Sequence, residues 1–182
     1  MTQFKARIAG AFYLLVFVTG GLALVVRGGA GVAARLTAGV CYIAVTWLFY
    51  DLFKPVNSRL SLFAASISLV GIVVGPVLKV NPLPFFGFYC LLIGYLIFRS
   101  TFLPRILGAL MAFASLGWLT FLSPSLGQYL YPYNLAPGIV GEGSLTVWLL
   151  VVGVNVPRWE EQAASRKRVS LAERTHGSPM PH

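Results

Sequence analysis

Residues 8–26, IAGAFYLLVFVTGGLALVV, run for 19 positions without one charged side chain. A helix rising 1.5 Å per residue needs about 20 such positions to cross the ~30 Å hydrocarbon core of a bilayer. Five more apolar stretches follow: Leu36 to Phe53, Leu60 to Val80, Leu83 to Phe98, Ile106 to Leu122 and Leu135 to Gly153. The fourth and fifth are short, which implies little tilt or a locally thinned bilayer. The expected fold is an all-α integral membrane protein, a bundle of six transmembrane helices. Residues 1–157 form the membrane domain, and 158–182 form a polar basic tail whose last residues are expected to be disordered.

Composition agrees. The 182 residues are 57% hydrophobic and 10% charged, with a mean hydropathy of +0.78, whereas soluble domains carry about 25% charged residues. The segments between the apolar stretches hold breakers and caps: Lys54-Pro55-Val56-Asn57-Ser58, Asn81-Pro82, Ser100 to Pro104, Ser123-Pro124 and Tyr131-Pro132. They are too short for a second domain. Pro104 suits the first turn of a helix, where no backbone donor is lost, and Ser100 or Thr101 suits a helix cap.

The formal charge of +9 is explained by where the basic residues fall. With the N-terminus in the cytoplasm, the inside holds Lys5, Arg7, Lys54, Arg59, Arg99, Arg105, Arg158, Arg166, Lys167, Arg168 and Arg174. The outside holds Arg27, Arg35 and Lys79, so the division is 11 against 3 of the chain's 14. Such asymmetry predicts both termini in the cytoplasm. It also removes the reason to expect nucleic acid as a partner, since no basic helix or aromatic platform of a known module is present. A signal peptide beginning at Lys5 and Arg7 and ending near Val32-Ala33-Ala34 is the competing reading of the start. The run is longer than the 7 to 15 residues of an ordinary h-region, so a span is expected.

The chemical inventory is sparse. His176 and His182 both lie in the tail, so no intramembrane imidazole pair is expected to hold haem or zinc; no metal and no cofactor are expected. A serine hydrolase would need a base beside its nucleophile, and Lys79 at a span's edge is a poor one. Asp51 sits at the cytoplasmic end of the second span and Glu142 in the outer half of the sixth, which argues against a paired-carboxylate site, and no glycine loop precedes a Lys-Ser or Lys-Thr pair. Cys41 and Cys90 read as small apolar residues at helix contacts. Glycines at Gly20-Gly21, Gly71, Gly75, Gly94 and Gly108 suit close helix packing, within one chain or between two.

One residue stands out. Glu142 lies between Gly141 and Gly143, about eight residues, or ~12 Å, below the outer end of the last span. Ionisable residues at such depths usually face the bundle interior or a water-filled cavity. Lys79 is the candidate cation, with Arg27 and Arg35 as alternatives. Pro137-Gly138 with Gly141 and Gly143, and Gly75-Pro76 in the third span, predict interrupted helices, and many transporters build sites from broken helices and an acid. Glu142, Lys79, Pro137, Gly141, Gly143 and Pro76 are therefore the candidate outward-facing pocket. A kinked helix with one interhelical hydrogen bond is the simpler reading.

The stretch from Gly94 through Arg99, Pro104 and Arg105 to Gly108, followed by Gly141-Glu142 and Trp148 to Gly153, resembles the bacterial membrane family catalogued as domain of unknown function 4386. The resemblance implies a six-helix integral membrane protein with Arg99, Pro104, Arg105 and Glu142 at matching positions. It supplies no activity, and it makes the bacterial inner membrane the expected location. Arg99 and Arg105 bracket one cytoplasmic hairpin and Lys54 and Arg59 the other, so the four form a candidate contact for anionic lipid head groups or a partner. Trp159 suits an interfacial anchor, and Arg166 to Arg168 suit anionic lipid.

The leading expectation is a non-catalytic membrane protein that works through helix packing, a membrane-protein partner or a second copy of itself, with Glu142 as a buried polar contact. The second is a small transporter or ligand-binding protein with a pocket at Glu142. A lipid-modifying enzyme has the least support, because no acid and base are paired.

Overall fold

In the computed structural model, residues 1–78 and 80–176 are described, with Val74, Pro76, Ser170 and residues 172–176 by their backbone only; Lys79 and residues 177–182 lie outside them. The described chain is all helix and connection, with no strand. Helix α1 spans Thr2–Val25, α2 Gly28–Leu78, α3 Leu83–Arg99, α4 Arg105–Leu119, α5 Pro124–Leu130, α6 Ala136–Val151 and α7 Val156–His176. Single 3₁₀ turns, Thr120–Leu122 and Tyr133–Leu135, flank α5. Among the described residues, four helical stretches are long and apolar enough to cross a membrane: Thr2–Val25, Gly28–Val73, Arg105–Leu122 and Tyr133–Val151. Helix α3 is apolar and shorter, at 17 residues.

Helix α2 is 51 residues long and leaves helical geometry once, at Asn57, where φ is −156° and ψ is 104°. It thus consists of two arms, 28–56 and 58–78. The expected five-residue loop at Lys54 to Ser58 reduces to this one residue. Asn57 also begins the second arm chemically, since its Oδ1 accepts from the backbone N–H of Leu60 at 3.1 Å, as an N-cap side chain does. The arms fold together and are joined inside by the hydroxyls of Thr46 and Ser68, 2.7 Å apart and both buried.

Several expected boundaries move. The supposed outer loop at 27–35 is mostly helix, because Gly28, at φ +74°, turns the chain directly into α2. That φ is open to glycine and strained for other residues. The backbone passes Gly75-Pro76 within α2, and Pro137 sits in the first turn of α6. Pro137 leaves α6 unbroken, because a first-turn proline loses no intrahelical bond, and Gly75-Pro76 falls in the last turn of α2, which ends at Leu78. Neither Ser100 nor Thr101 caps α4: the Ser100 hydroxyl turns back to the carbonyl of Ile97 and Thr101 bonds to α7.

The helices close into a ring. Helix α1 packs on α2, α2 on α3, α3 on α4 and α4 on α6, and α6 returns to α1. Aromatic and branched side chains fill the interior, with Tyr13, Phe49, Phe53, Tyr89, Ile93, Ile97, Met111 and Leu145 almost wholly buried. The outward faces are equally apolar: Leu24, Trp47, Val77, Leu116 and Val151 are all exposed, as expected where the surrounding medium is hydrocarbon.

One end of the ring is densely bonded. Gln3 donates to the carbonyl of Val152 and accepts from the N–H of Val154, at 2.7 and 2.9 Å. Lys5 and Lys54 both pair with Asp51. Helix α7 folds across this end, where Trp159 Nε1 donates to Leu52, Gln162 Nε2 to Arg99 and Arg166 to Val56, each time to a backbone carbonyl. The polar segment after residue 156 is thus a helix strapped over both turns of the bundle.

Candidate functional site

Glu142 lies on the inner face of α6 and is only 6% exposed. Bare backbone at three glycines on two helices makes room for its partners. At Gly138, one turn earlier on the same face, a Cβ would come within 2.3 Å of the Trp118 ring, so the indole lies flat against α6. At Gly141 a Cβ would come within 2.2 Å of the Leu110 carbonyl oxygen, which lets α4 and α6 touch. At Gly10 a Cβ would meet the Leu150 backbone at 3.0 Å, drawing α1 onto α6 from the other side.

The carboxylate receives one donor from each neighbour. The Tyr13 hydroxyl of α1 donates to Oε2, and the Trp118 Nε1–H of α4 donates to Oε1. Glu142 therefore ties three helices whose contributing residues are up to 129 positions apart in sequence. The Cys90 thiol stands beside the same carboxylate from α3. The Tyr13 ring packs against Phe17, Tyr42 and Phe49 with centroids 5.7 to 5.9 Å apart, and Tyr42 packs on Tyr89 at 5.9 Å. The hydroxyls of Tyr42 and Tyr89 are buried without a hydrogen-bond partner.

The expected site is thus partly assembled. Glu142 and Gly141 are buried together, Pro137 packs against Gly117, and Gly143 faces open space with nothing within 4 Å of a built Cβ. Lys79 and the Pro76 side chain lie outside the described residues. The observed partners of Glu142 are neutral donors, not the cation that its charge suggests. Tyr13 and Trp118 were missed, although each carried a signal: an aromatic with a polar handle inside an apolar run usually finds a partner when buried. Cys41 and Cys90 are both buried free thiols. Gly71 and Gly75 pack within the chain, against Phe85 and Pro82.

The basic candidates divide. Lys54 is paired with Asp51, while Arg99 and Arg105 flank the turn on which α7 rests, and Arg59 begins the second arm of α2. Among the described residues, no group of three His, Cys, Asp or Glu is placed to hold a metal ion.

Apolar helices closed around a filled, hydrogen-bonded interior define a helical bundle of the membrane type. Residues 79–153 match the family described as Domain of unknown function (DUF4386), which bears out the resemblance carried by Gly94 to Gly108 and Gly141 to Gly153. No curated protein and no solved structure matches the chain.

Proposed function

We propose that this chain is a six-crossing protein of the bacterial inner membrane, with both termini cytoplasmic, that acts without catalysis by engaging membrane lipid or a membrane-protein partner. Glu142 serves in it as an interhelical acceptor. One observation carries this reading: both oxygens of Glu142 are occupied by donors from other helices inside the bundle. The break at Asn57 supports six crossings, since it makes two arms of α2, and α3 supplies another. The orientation is supported by the bonds that gather residues 3–5, 51–56, 99–101 and 152–166 at one end. Those segments and their flanks hold most of the basic side chains, which are retained on the cytoplasmic side.

A second reading, a small ligand-binding or transport protein with a polar pocket around Glu142, is favoured by the unpartnered hydroxyls of Tyr42 and Tyr89.

Cysteine labelling separates the two. With Cys41 and Cys90 replaced by alanine, Ser125→Cys should react with an impermeant maleimide on intact spheroplasts, and Ala164→Cys only after permeabilisation. The reverse pattern overturns the orientation. Gly143→Cys should stay unreactive in both states if it faces lipid; rapid labelling from outside would establish a water-filled pocket and overturn the first reading.

A further inference from the structure

Between the Ser100 to Pro104 turn and the start of α7 lies an open groove of about 710 Å³. Its shape is fixed by α7, which is held to the turn from several directions. Gln162 Oε1 accepts from the Thr101 N–H at 3.1 Å, Gln162 Nε2 donates to the Arg99 carbonyl at 3.2 Å, and the Thr101 hydroxyl lies 3.3 Å from the Arg158 carbonyl. These bonds consume the turn's polar groups and leave three charges over.

Arg105 lines one wall of the groove, and Arg158 and Glu161 line the other. All three are exposed. Asp51 pairs with Lys5 and Lys54, and neither Arg105 nor Glu161 takes part in an ion pair with another described residue. Arg158 makes one long bond, 3.5 Å, to the Thr101 carbonyl. Arg158 and Glu161 are three residues apart on one helix, the spacing at which opposite charges normally meet, yet they stand apart. Two guanidiniums and one carboxylate around one opening complement a ligand that carries both signs. A purely anionic head group would bring its phosphate up to Glu161, and a purely cationic one would face two arginines.

The surroundings specify the rest of the ligand. Leu103 and Pro104 belong to the lining, and Phe98 and Ile106, which flank the turn on α3 and α4, are 41% and 62% exposed. A molecule with a polar head and an apolar body can therefore seat its head in the groove and lay its chains on the bundle.

We propose that this groove binds the head group of a zwitterionic phospholipid of the phosphoethanolamine type, with phosphate on Arg105 and Arg158 and the primary ammonium on Glu161. Guanidinium suits phosphate because its forked donors match two oxygens at once. A primary ammonium can donate to the carboxylate, whereas a choline cannot. The inference rests on the reading that this end of the bundle lies at a membrane face.

The test uses the full chain in detergent with short-chain phosphatidylethanolamine, phosphatidylglycerol and phosphatidylcholine, read by native mass spectrometry and by thermal shift. Phosphatidylethanolamine should be retained preferentially. Arg105→Gln should weaken retention of every phospholipid by about tenfold, the equivalent of one lost charge-assisted contact. Glu161→Gln should lower retention of phosphatidylethanolamine to that of phosphatidylglycerol, abolishing the preference for ethanolamine over glycerol. Equal retention of the three lipids, or a preference unmoved by Glu161→Gln, overturns the proposal. So does glycerophosphoethanolamine binding as tightly as the lipid, because the acyl chains would then contribute nothing. Both side chains are exposed, and a parent-like melting curve for each variant without lipid verifies folding. Selectivity in detergent does not depend on orientation, so failure here and failure of the labelling experiment are separate outcomes.

Discussion

Gly94 and Gly108 pack backbone to backbone: a Cβ on Gly94 would lie 2.9 Å from the Gly108 carbonyl oxygen, and one on Gly108 would lie 2.8 Å from the Gly94 oxygen. The Phe98 ring closes on the same point, 2.9 Å from the Gly108 Cβ position, so α3 and α4 have no slack at this crossing. Gly94→Ala and Gly108→Ala should each destabilise by about 1 to 3 kcal/mol, the usual cost of overpacking. The double variant should cost less than their sum, because one contact is lost. Gly143→Ala, at an open position, should be neutral or slightly stabilising, since alanine favours helix by up to about 1 kcal/mol. Melting curves in one detergent compare all four.

The Glu142 cluster predicts an order of substitutions. Trp118 Nε1–H can only donate, but a tyrosine hydroxyl can also accept. In Glu142→Gln the amide oxygen can face Trp118 and the amide nitrogen can donate to Tyr13, so both bonds survive. Glu142→Leu strands both donors and should cost about 1 to 3 kcal/mol. A cycle of Tyr13→Phe with Glu142→Leu should give a coupling of about 0.6 to 1.7 kcal/mol, the range found for polar contacts inside membrane bundles. Equal melting temperatures for parent and Glu142→Leu would remove the interhelical role.

Gln3 and Gly153 predict a local effect. The Gln3 amide fills the space where a Gly153 Cβ would stand, at 2.5 to 2.7 Å, and Gly153 has φ +77°. Gly153→Ala meets both a left-handed backbone and a collision, so it should cost more than Gln3→Leu, which removes two hydrogen bonds of about 1 kcal/mol each. Hydrogen exchange at Val154, whose N–H is bonded to Gln3, should quicken in both variants.

The Asp51 pairs should matter little. Lys5 and Lys54 are 51% and 47% exposed, and exposed ion pairs contribute about 0 to 1 kcal/mol. Asp51→Asn should therefore shift stability by less than Glu142→Leu does, and its effect should shrink in high salt. A loss larger than that of Glu142→Leu would reverse the ranking.

What the sequence disclosed follows from which signals are local. Charge-free runs and proline-marked ends locate helices because both act within a few residues, and basic side chains locate the bonded end for the same reason. Asn57 was blurred into a five-residue loop because Pro55 reads as a breaker, although the chain needs only one non-helical residue to turn. Glu142 was legible as a buried group, but its partners were not. Charge directed attention to Lys79, which lies outside the described residues, and the donors seen there are Tyr13 and Trp118, neutral side chains brought near by Gly10, Gly138 and Gly141. The fold of α7 over both turns was hidden as well, since Trp159 acts through one bond to a carbonyl and Gln162 through bonds to Arg99 and Thr101 that no pattern announces.

The return of α6 to α1 sets an order on biosynthesis. Tyr13 is made among the first residues of the chain, and its acceptor comes 129 residues later. Until that acceptor is made, α1 can pack on α2 but the Tyr13 hydroxyl lacks this partner. The ring closes only when α6 returns to α1, so a chain that stops before residue 142 leaves α1 packed on α2 with the Tyr13 hydroxyl lacking its acceptor.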